Sequence, residues 1–166
     1  MIDANWVYMW KTDEHVWVVK SKSRLVARGF KQREGIDFSE TFAPTVSTSC
    51  VRLLSAIVCE CDLDLCHFDV DQAFVQANTE EDVFLRLPEG YGDLSGKIVR
   101  LNQSLYGLKQ ALRTWHAHLI TCLKSLGFEQ CDADVCVFCL IEEGRVAITA
   151  VVHVDDIFAV GRKERW

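Results

Sequence analysis

The chain lacks any apolar run as long as a membrane-crossing helix, so no membrane-spanning helix is read in it. Its first residues, Met1-Ile2-Asp3-Ala4-Asn5-Trp6, hold no basic segment followed by an apolar stretch, so no secretory signal is read there. No internal repeat or low-complexity tract is evident. Two stretches lack acids altogether. Residues 20–33 carry Lys20, Lys22, Arg24, Arg28, Lys31 and Arg33, and residues 97–124 carry Lys97, Arg100, Lys109, Arg113 and Lys124. Between them bases are scarce: over residues 60–93, Glu60, Asp62, Asp64, Asp69, Asp71, Glu80, Glu81, Asp82, Glu89 and Asp93 meet only Arg86.

What is present bounds the rest. A length of 166 residues suits one domain with a respectable core, and 49% hydrophobic with 25% charged residues is an ordinary globular composition. Eight cysteines without a secretory signal read as reduced thiols of an intracellular protein. The net charge of −6 argues against a simple nucleic-acid-coating protein. Basic segments flanking an acidic centre suit a protein that grips phosphates with one surface and metal ions with another. Set against this is the plain reading of charge runs as solvated surface.

In chain order, residues 6–10 and 15–20 form a predicted β-hairpin, and 23–30 a third strand. Ser47, Thr48 or Ser49 can cap a helix whose apolar face is Cys50, Leu53, Leu54, Ile57, Val58 and Cys61. A strand follows over 65–70, with His67, Asp69 and Asp71 on one side. A short helix over 72–77 and strands at 83–87 and 97–101 come next. A helix over about 109–126 presents Leu112, Trp115, Leu119, Cys122, Leu123 and Leu126, and Gly127 stops it. A hairpin, 136–141 with 145–154, leads through an Asp155-Asp156 turn to a last strand, 157–160. The order predicts an α+β fold with an antiparallel sheet.

Chemistry centres on residues 151–160, where Asp155 and Asp156 interrupt an apolar run. An ionised carboxylate in such surroundings costs several kcal/mol unless compensated. Read alone, the pair is a solvated hairpin turn. A second apolar strand, ending at Asp69, adds a third carboxylate. Three such groups could hold two Mg²⁺ ions, which suits nucleotidyl transfer or phosphate hydrolysis.

The motifs then become recognisable. Residues 24–30 (RLVARGF), 32–37 (QREGID), 40–44 (ETFAP), 68–74 (FDVDQAF), 87–91 (LPEGY), 104–111 (SLYGLKQA) with Arg113 and Trp115, and 154–156 (VDD) run in order along nearly the whole chain. In this series the chain resembles the reverse transcriptase of copia-type long-terminal-repeat retrotransposons. The resemblance implies a right-hand polymerase fingers–palm fragment, an antiparallel palm sheet packed on helices, with residues 1–166 as one reverse transcriptase domain. It implies an RNA-directed DNA polymerase that adds deoxynucleotides to a primer 3′-hydroxyl on an RNA or DNA template. Asp69, Asp155 and Asp156, with the carbonyl of Val70, would hold two Mg²⁺ (or Mn²⁺). Phe74 would exclude a ribose 2′-hydroxyl. Gly107, Lys109 and Gln110 would lie against nucleotide and template. Lys22, Arg24 and Arg28 would grip triphosphate or template backbone. No membrane partner is implied, and the intact element would act in a cytoplasmic virus-like particle or the nucleus.

Three departures stand out. His153 occupies the usual place of a Tyr, and Leu112 that of a Pro that would set the start of a helix. The chain stops ten residues past Asp156, where the family continues into a primer-gripping hairpin, thumb and RNase H, with protease and integrase upstream. The expectation is therefore a fragment that polymerises weakly or not at all. The alternative is an inactive remnant that keeps the fold and at most binds nucleic acid. Cys131, Cys136 and Cys139 read as core thiols before an iron–sulfur site. His116 and His118, two apart on a helix, share no face, and His67 reads as a packed or edge histidine. Trp6, Trp10 and Trp17 suit base stacking or a β-sheet core equally.

Overall fold

A computed structural model describes residues 1–162. The elements are β1 (Ile2–Thr12), β2 (Val18–Ala27), α1 (Thr48–Glu60), β3 (Asp64–Asp69), α2 (Ala73–Gln76), β4 (Phe84–Arg86), β5 (Ile98–Arg100), α3 (Ala111–Ser125), β6 (Phe128–Gln130), β7 (Val137–Glu142), β8 (Arg145–His153) and β9 (Asp156–Gly161). They fall into two compact units, each assembled from two chain segments. Unit 1 is Met1–Phe42 with Phe74–Trp115; unit 2 is Ala43–Ala73 with the chain from His116 on. No helix among the described residues is long and apolar enough to cross a membrane.

Unit 1 holds a four-stranded sheet in the order β2-β1-β4-β5. β1 and β2 pair antiparallel from Ala4↔Ala27 to Thr12↔Val18, so the two strands expected over 15–20 and 23–30 are one. The reason is local: Ser21, Lys22 and Ser23 carry no turn geometry and continue the ladder, while the reversal is made earlier. There Asp13 Oδ1 accepts from the amides of His15 and Trp17. β1 also pairs parallel with β4 (Ile2↔Leu85), so this sheet is mixed rather than wholly antiparallel. The core gathers at that end: Ile2, Ala4, Ala27, Val83, Leu85, Leu87, Leu105 and Leu108 are buried, with Leu85 fully so.

The far end of the β1–β2 ribbon is mostly exposed, and its register sorts its side chains. Directly opposed residues share a face. One face carries Lys11↔Lys20, Met9↔Lys22 and Val7↔Arg24; the other carries Trp10↔Ser21, Tyr8↔Ser23 and Trp6↔Leu25. Trp6 packs on Tyr91 and donates from Nε1 to the Glu89 carbonyl, whereas Tyr8 and Trp10 stand open to solvent.

Unit 2 holds a five-stranded antiparallel sheet, order β3-β9-β8-β7-β6. β6 escaped the sequence reading because three residues show no period. Three consecutive buried residues of β8, Ala150, Val151 and Val152, mean that both faces of the sheet are covered at its centre. The face of α3 buries Trp115, Leu119 and Leu123, while Leu126 lies past the helix end and is exposed. Ser47 caps α1, its side chain accepting from Cys50 N–H, and Asp134 Oδ2 accepts from Ser47 N–H. The expected apolar face of α1 is not fully buried at any position. Leu53, Leu54 and Ile57 instead line an apolar cleft of about 490 Å³ with Val137, Val151 and Val160. All eight cysteines are free thiols, and burial pushes that of Cys136 up to about 11.

Candidate functional site

The acidic motif is built by the register of unit 2. β9 lies between β3 and β8, and its first residue, Asp156, pairs with Asp69 on one side and His153 on the other. Three side chains, Asp69, Asp156 and His153, therefore stand abreast on one face of the sheet. Two like charges directly opposed across strands repel, and a cation between them would remove that penalty. The reversal itself is made by Val154 and Asp155, one residue earlier than the expected Asp155-Asp156 turn, because Asp156 is already in the ladder. Val154 takes φ 60°, a region costly for a β-branched residue by about 1–3 kcal/mol. The Asp155 carbonyl accepts from Val70 N–H at 2.9 Å, tying the hairpin tip to the chain just past β3. Asp71 lies beyond the end of β3, so the strand alternation that joins His67 and Asp69 does not extend to it.

His67, two residues before Asp69, stacks on the Phe158 ring at 4.8 Å and brings Nε2 to 2.7 Å from Asp156 Oδ1. The all-oxygen donor set of Asp69, Asp155 and Asp156 suits a hard divalent cation. Asp156 is turned to His67, and no group of three His, Cys, Asp or Glu side chains among the described residues is arranged to hold a metal. The apolar cleft beside α1 contains none of these carboxylates.

The other candidate residues lie in unit 1, in two clusters. In the first, the Arg24 guanidinium sits over the Tyr106 ring, 5.5 Å from its centroid, and Phe74 meets the same ring edge-on at 4.9 Å. The Ala27 amide donates to the Tyr106 carbonyl at 2.7 Å, joining the end of β2 to the loop that precedes α3. The sequence reading missed Tyr106 as a site residue, although it lies inside a quoted motif; an aromatic between Leu105 and Gly107 looks like core. Gly107 has φ +88°, and a Cβ there would lie 2.2 Å from the Ala27 carbonyl oxygen.

In the second cluster, Gln32 Oε1 accepts from Lys109 N–H at 2.8 Å and its Nε2 donates to Gln110 Oε1 at 2.9 Å. Gln110 is buried and donates to the Asp37 carbonyl and Glu81 Oε2. Lys109 Nζ lies over the Phe38 ring at 4.6 Å. Gln110 thus spends its amide inside the protein, holding the 32–38 segment to the start of α3. Lys22 and Arg28 join neither cluster. Lys22 stands on the cationic face of the ribbon, and the Arg28 amide donates to the Asp3 carbonyl. Lys31 bonds Asp3 and holds its carboxyl below the usual range.

A family model described as "Reverse transcriptase (RNA-dependent DNA polymerase)" matches residues 1–165. Over 164 residues the chain is 35% identical to the Retrovirus-related Pol polyprotein from transposon TNT 1-94 of Nicotiana tabacum, covering 97% of this chain and 12% of that protein. It is 32% and 31% identical to the Retrovirus-related Pol polyproteins from transposons RE2 and RE1 of Arabidopsis thaliana, each over 97% of this chain and 11% of theirs. The chain therefore spans about an eighth of the length of these curated relatives. No solved structure matches it. On the strength of that end-to-end match, the chain belongs to the reverse transcriptase family of copia-type retrotransposon Pol polyproteins.

Proposed function

We propose that the chain carries the fingers and palm of a right-hand RNA-directed DNA polymerase, unit 1 corresponding to fingers and unit 2 to palm. The reaction is transfer of a deoxynucleotide to a primer 3′-hydroxyl. The observation that carries this reading is the opposition of Asp69 and Asp156 across β3 and β9, with Asp155 next in the turn. Asp69, Asp155 and Asp156, with the Val70 carbonyl, are the groups that would hold Mg²⁺ or Mn²⁺. When bound, the ions would activate the attacking hydroxyl and stabilise the leaving pyrophosphate. The protein's own share is charge and shape. Arg24 offers a guanidinium to the triphosphate, and Phe74 offers a ring edge where a ribose 2′-hydroxyl would clash. Lys22 and Arg28 favour the template backbone, whose phosphates reward any cation nearby. Gly107 and Lys109 border the nucleotide, and Gln110 acts through them by fixing the loop. Template, primer and the other Pol domains are the partners in the intact element.

The engagement of Asp156 by His67 favours a second reading, a non-catalytic remnant that binds nucleic acid without metal. One titration separates the two. Calorimetry with Mn²⁺ and a deoxynucleoside triphosphate should show metal-dependent nucleotide binding that Asp155→Asn abolishes while circular dichroism stays unchanged. Equal affinity in wild type and Asp155→Asn removes the carboxylates from the site.

A further inference from the structure

We propose that Tyr106 is a specificity-determining positioning residue that couples the hold on the triphosphate to the discrimination of the sugar. The proposal rests on the reading of Arg24 and Phe74 as nucleotide-facing groups. Its observations are independent of that reading. The Tyr106 backbone is fixed, because its carbonyl accepts the Ala27 amide at 2.7 Å and the adjoining Gly107 is pressed against the Ala27 carbonyl. Its ring therefore cannot drift away from β2. On one π-face it carries the Arg24 guanidinium, 5.5 Å from the centroid. Against the same ring Phe74 stands at 4.9 Å and 73°. Phe74 lies in a four-residue helix and packs against the core of unit 1, and Arg24 lies opposite Val7 where the ribbon leaves that core.

The physics assigns separate parts to the ring. Its negative face orients a planar cation that would otherwise sample many rotamers, so phosphate affinity depends on it. Its bulk holds the Phe74 ring at a set angle, so the room left beside a bound sugar depends on it too. Each contact is of a size worth about three- to tenfold in an equilibrium constant. The hydroxyl takes no part in either contact, so phenylalanine can replace tyrosine here.

The test is equilibrium binding of dGTP and rGTP to the full chain, with Mn²⁺, in Tyr106→Leu, Tyr106→Phe and Arg24→Gln. Tyr106→Leu should weaken dGTP binding about three- to tenfold and lower the dGTP-to-rGTP affinity ratio by a similar factor. Tyr106→Phe should restore both. A merely structural residue would weaken both nucleotides alike and leave the ratio unchanged; that result, or a Tyr106→Phe that behaves as Tyr106→Leu, overturns the proposal. If Tyr106→Leu does not fold, Tyr106→His carries the test. Its smaller, less electron-rich ring offers less to both Arg24 and Phe74, so it should weaken dGTP binding and lower the ratio in the direction expected of Tyr106→Leu, and an unchanged ratio overturns the proposal. If Arg24→Gln binds dGTP as tightly as wild type, the underlying nucleotide reading fails, and this inference fails with it. An unchanged ratio in Tyr106→Leu with Arg24 dependence intact defeats this inference alone.

Discussion

At Gly107 the backbone takes φ +88°, and the space a side chain would need is filled by the Ala27 carbonyl. Gly29 is in the same position from the other side, a Cβ there falling on the Gly107 carbonyl oxygen. Two motifs far apart in sequence, one containing Gly29 and one containing Gly107, thus meet backbone to backbone. Gly107→Ala should cost about 3 kcal/mol from combined strain and overpacking, read as a lower midpoint in urea denaturation. His116 gives a second residue-scale expectation. Its ring is half buried, its Nε2 finds no hydrogen-bond partner, and burial lowers its pKa from the usual 6.5. The folded state therefore binds its proton less readily than the unfolded state. The sign follows: stability is complete above the unfolded pKa and is lost as pH falls below about 6.5, until the lowered folded pKa is passed. Thermal melts from pH 7.5 to 5.5 should show a decline that His116→Gln removes. An identical decline in the variant would assign it to other groups.

Among the elements, α1 has a capped start but no fully buried position on its apolar face. None of its residues is fully buried, so its start depends on Ser47, which caps Cys50 and is itself held by Asp134. Burial would raise the Asp134 carboxyl, but hydrogen bonds from the Cys136 amide, the Cys50 thiol and Ser47 outweigh it and hold the group low. Ser47→Ala should cost about 1 kcal/mol, measured by chemical denaturation, and should reduce the helical signal. The β1–β2 ribbon makes the opposite case. Nine opposed pairs extend from a small core, and alternation alone assigns Lys11, Lys20, Lys22 and Arg24 to one side. Both elements are legible in sequence. What periodicity could not tell was that residues 18–27 form one strand, since the interruption near Ser21 has no structural counterpart. Nor could it show that the apolar stripe of α1 lines a cleft, because a stripe looks the same whether or not anything covers it.

On the scale of the whole chain, each unit takes its residues from two segments, so the sequence crosses from one to the other three times. The first crossing, between Phe42 and Ala43, falls within residues 40–47, which have no regular structure, and Phe42 is 82% exposed. Chymotrypsin at limiting dose should cut first after Phe42, as read by mass spectrometry of early fragments. Early cleavage inside either sheet would contradict this division.

The sequence alone determined the family, the α+β class, the order of most elements and the three carboxylates worth examining. These depend on residue identity and short-range period, which a linear string contains. Only the tertiary structure decided that Asp69 stands opposite Asp156, that His67 engages Asp156, that Gln110 is spent inside the protein, and that Arg24 and Phe74 meet on Tyr106. Each of these is a contact across dozens of residues, fixed by strand register and backbone packing, and no local spacing encodes it.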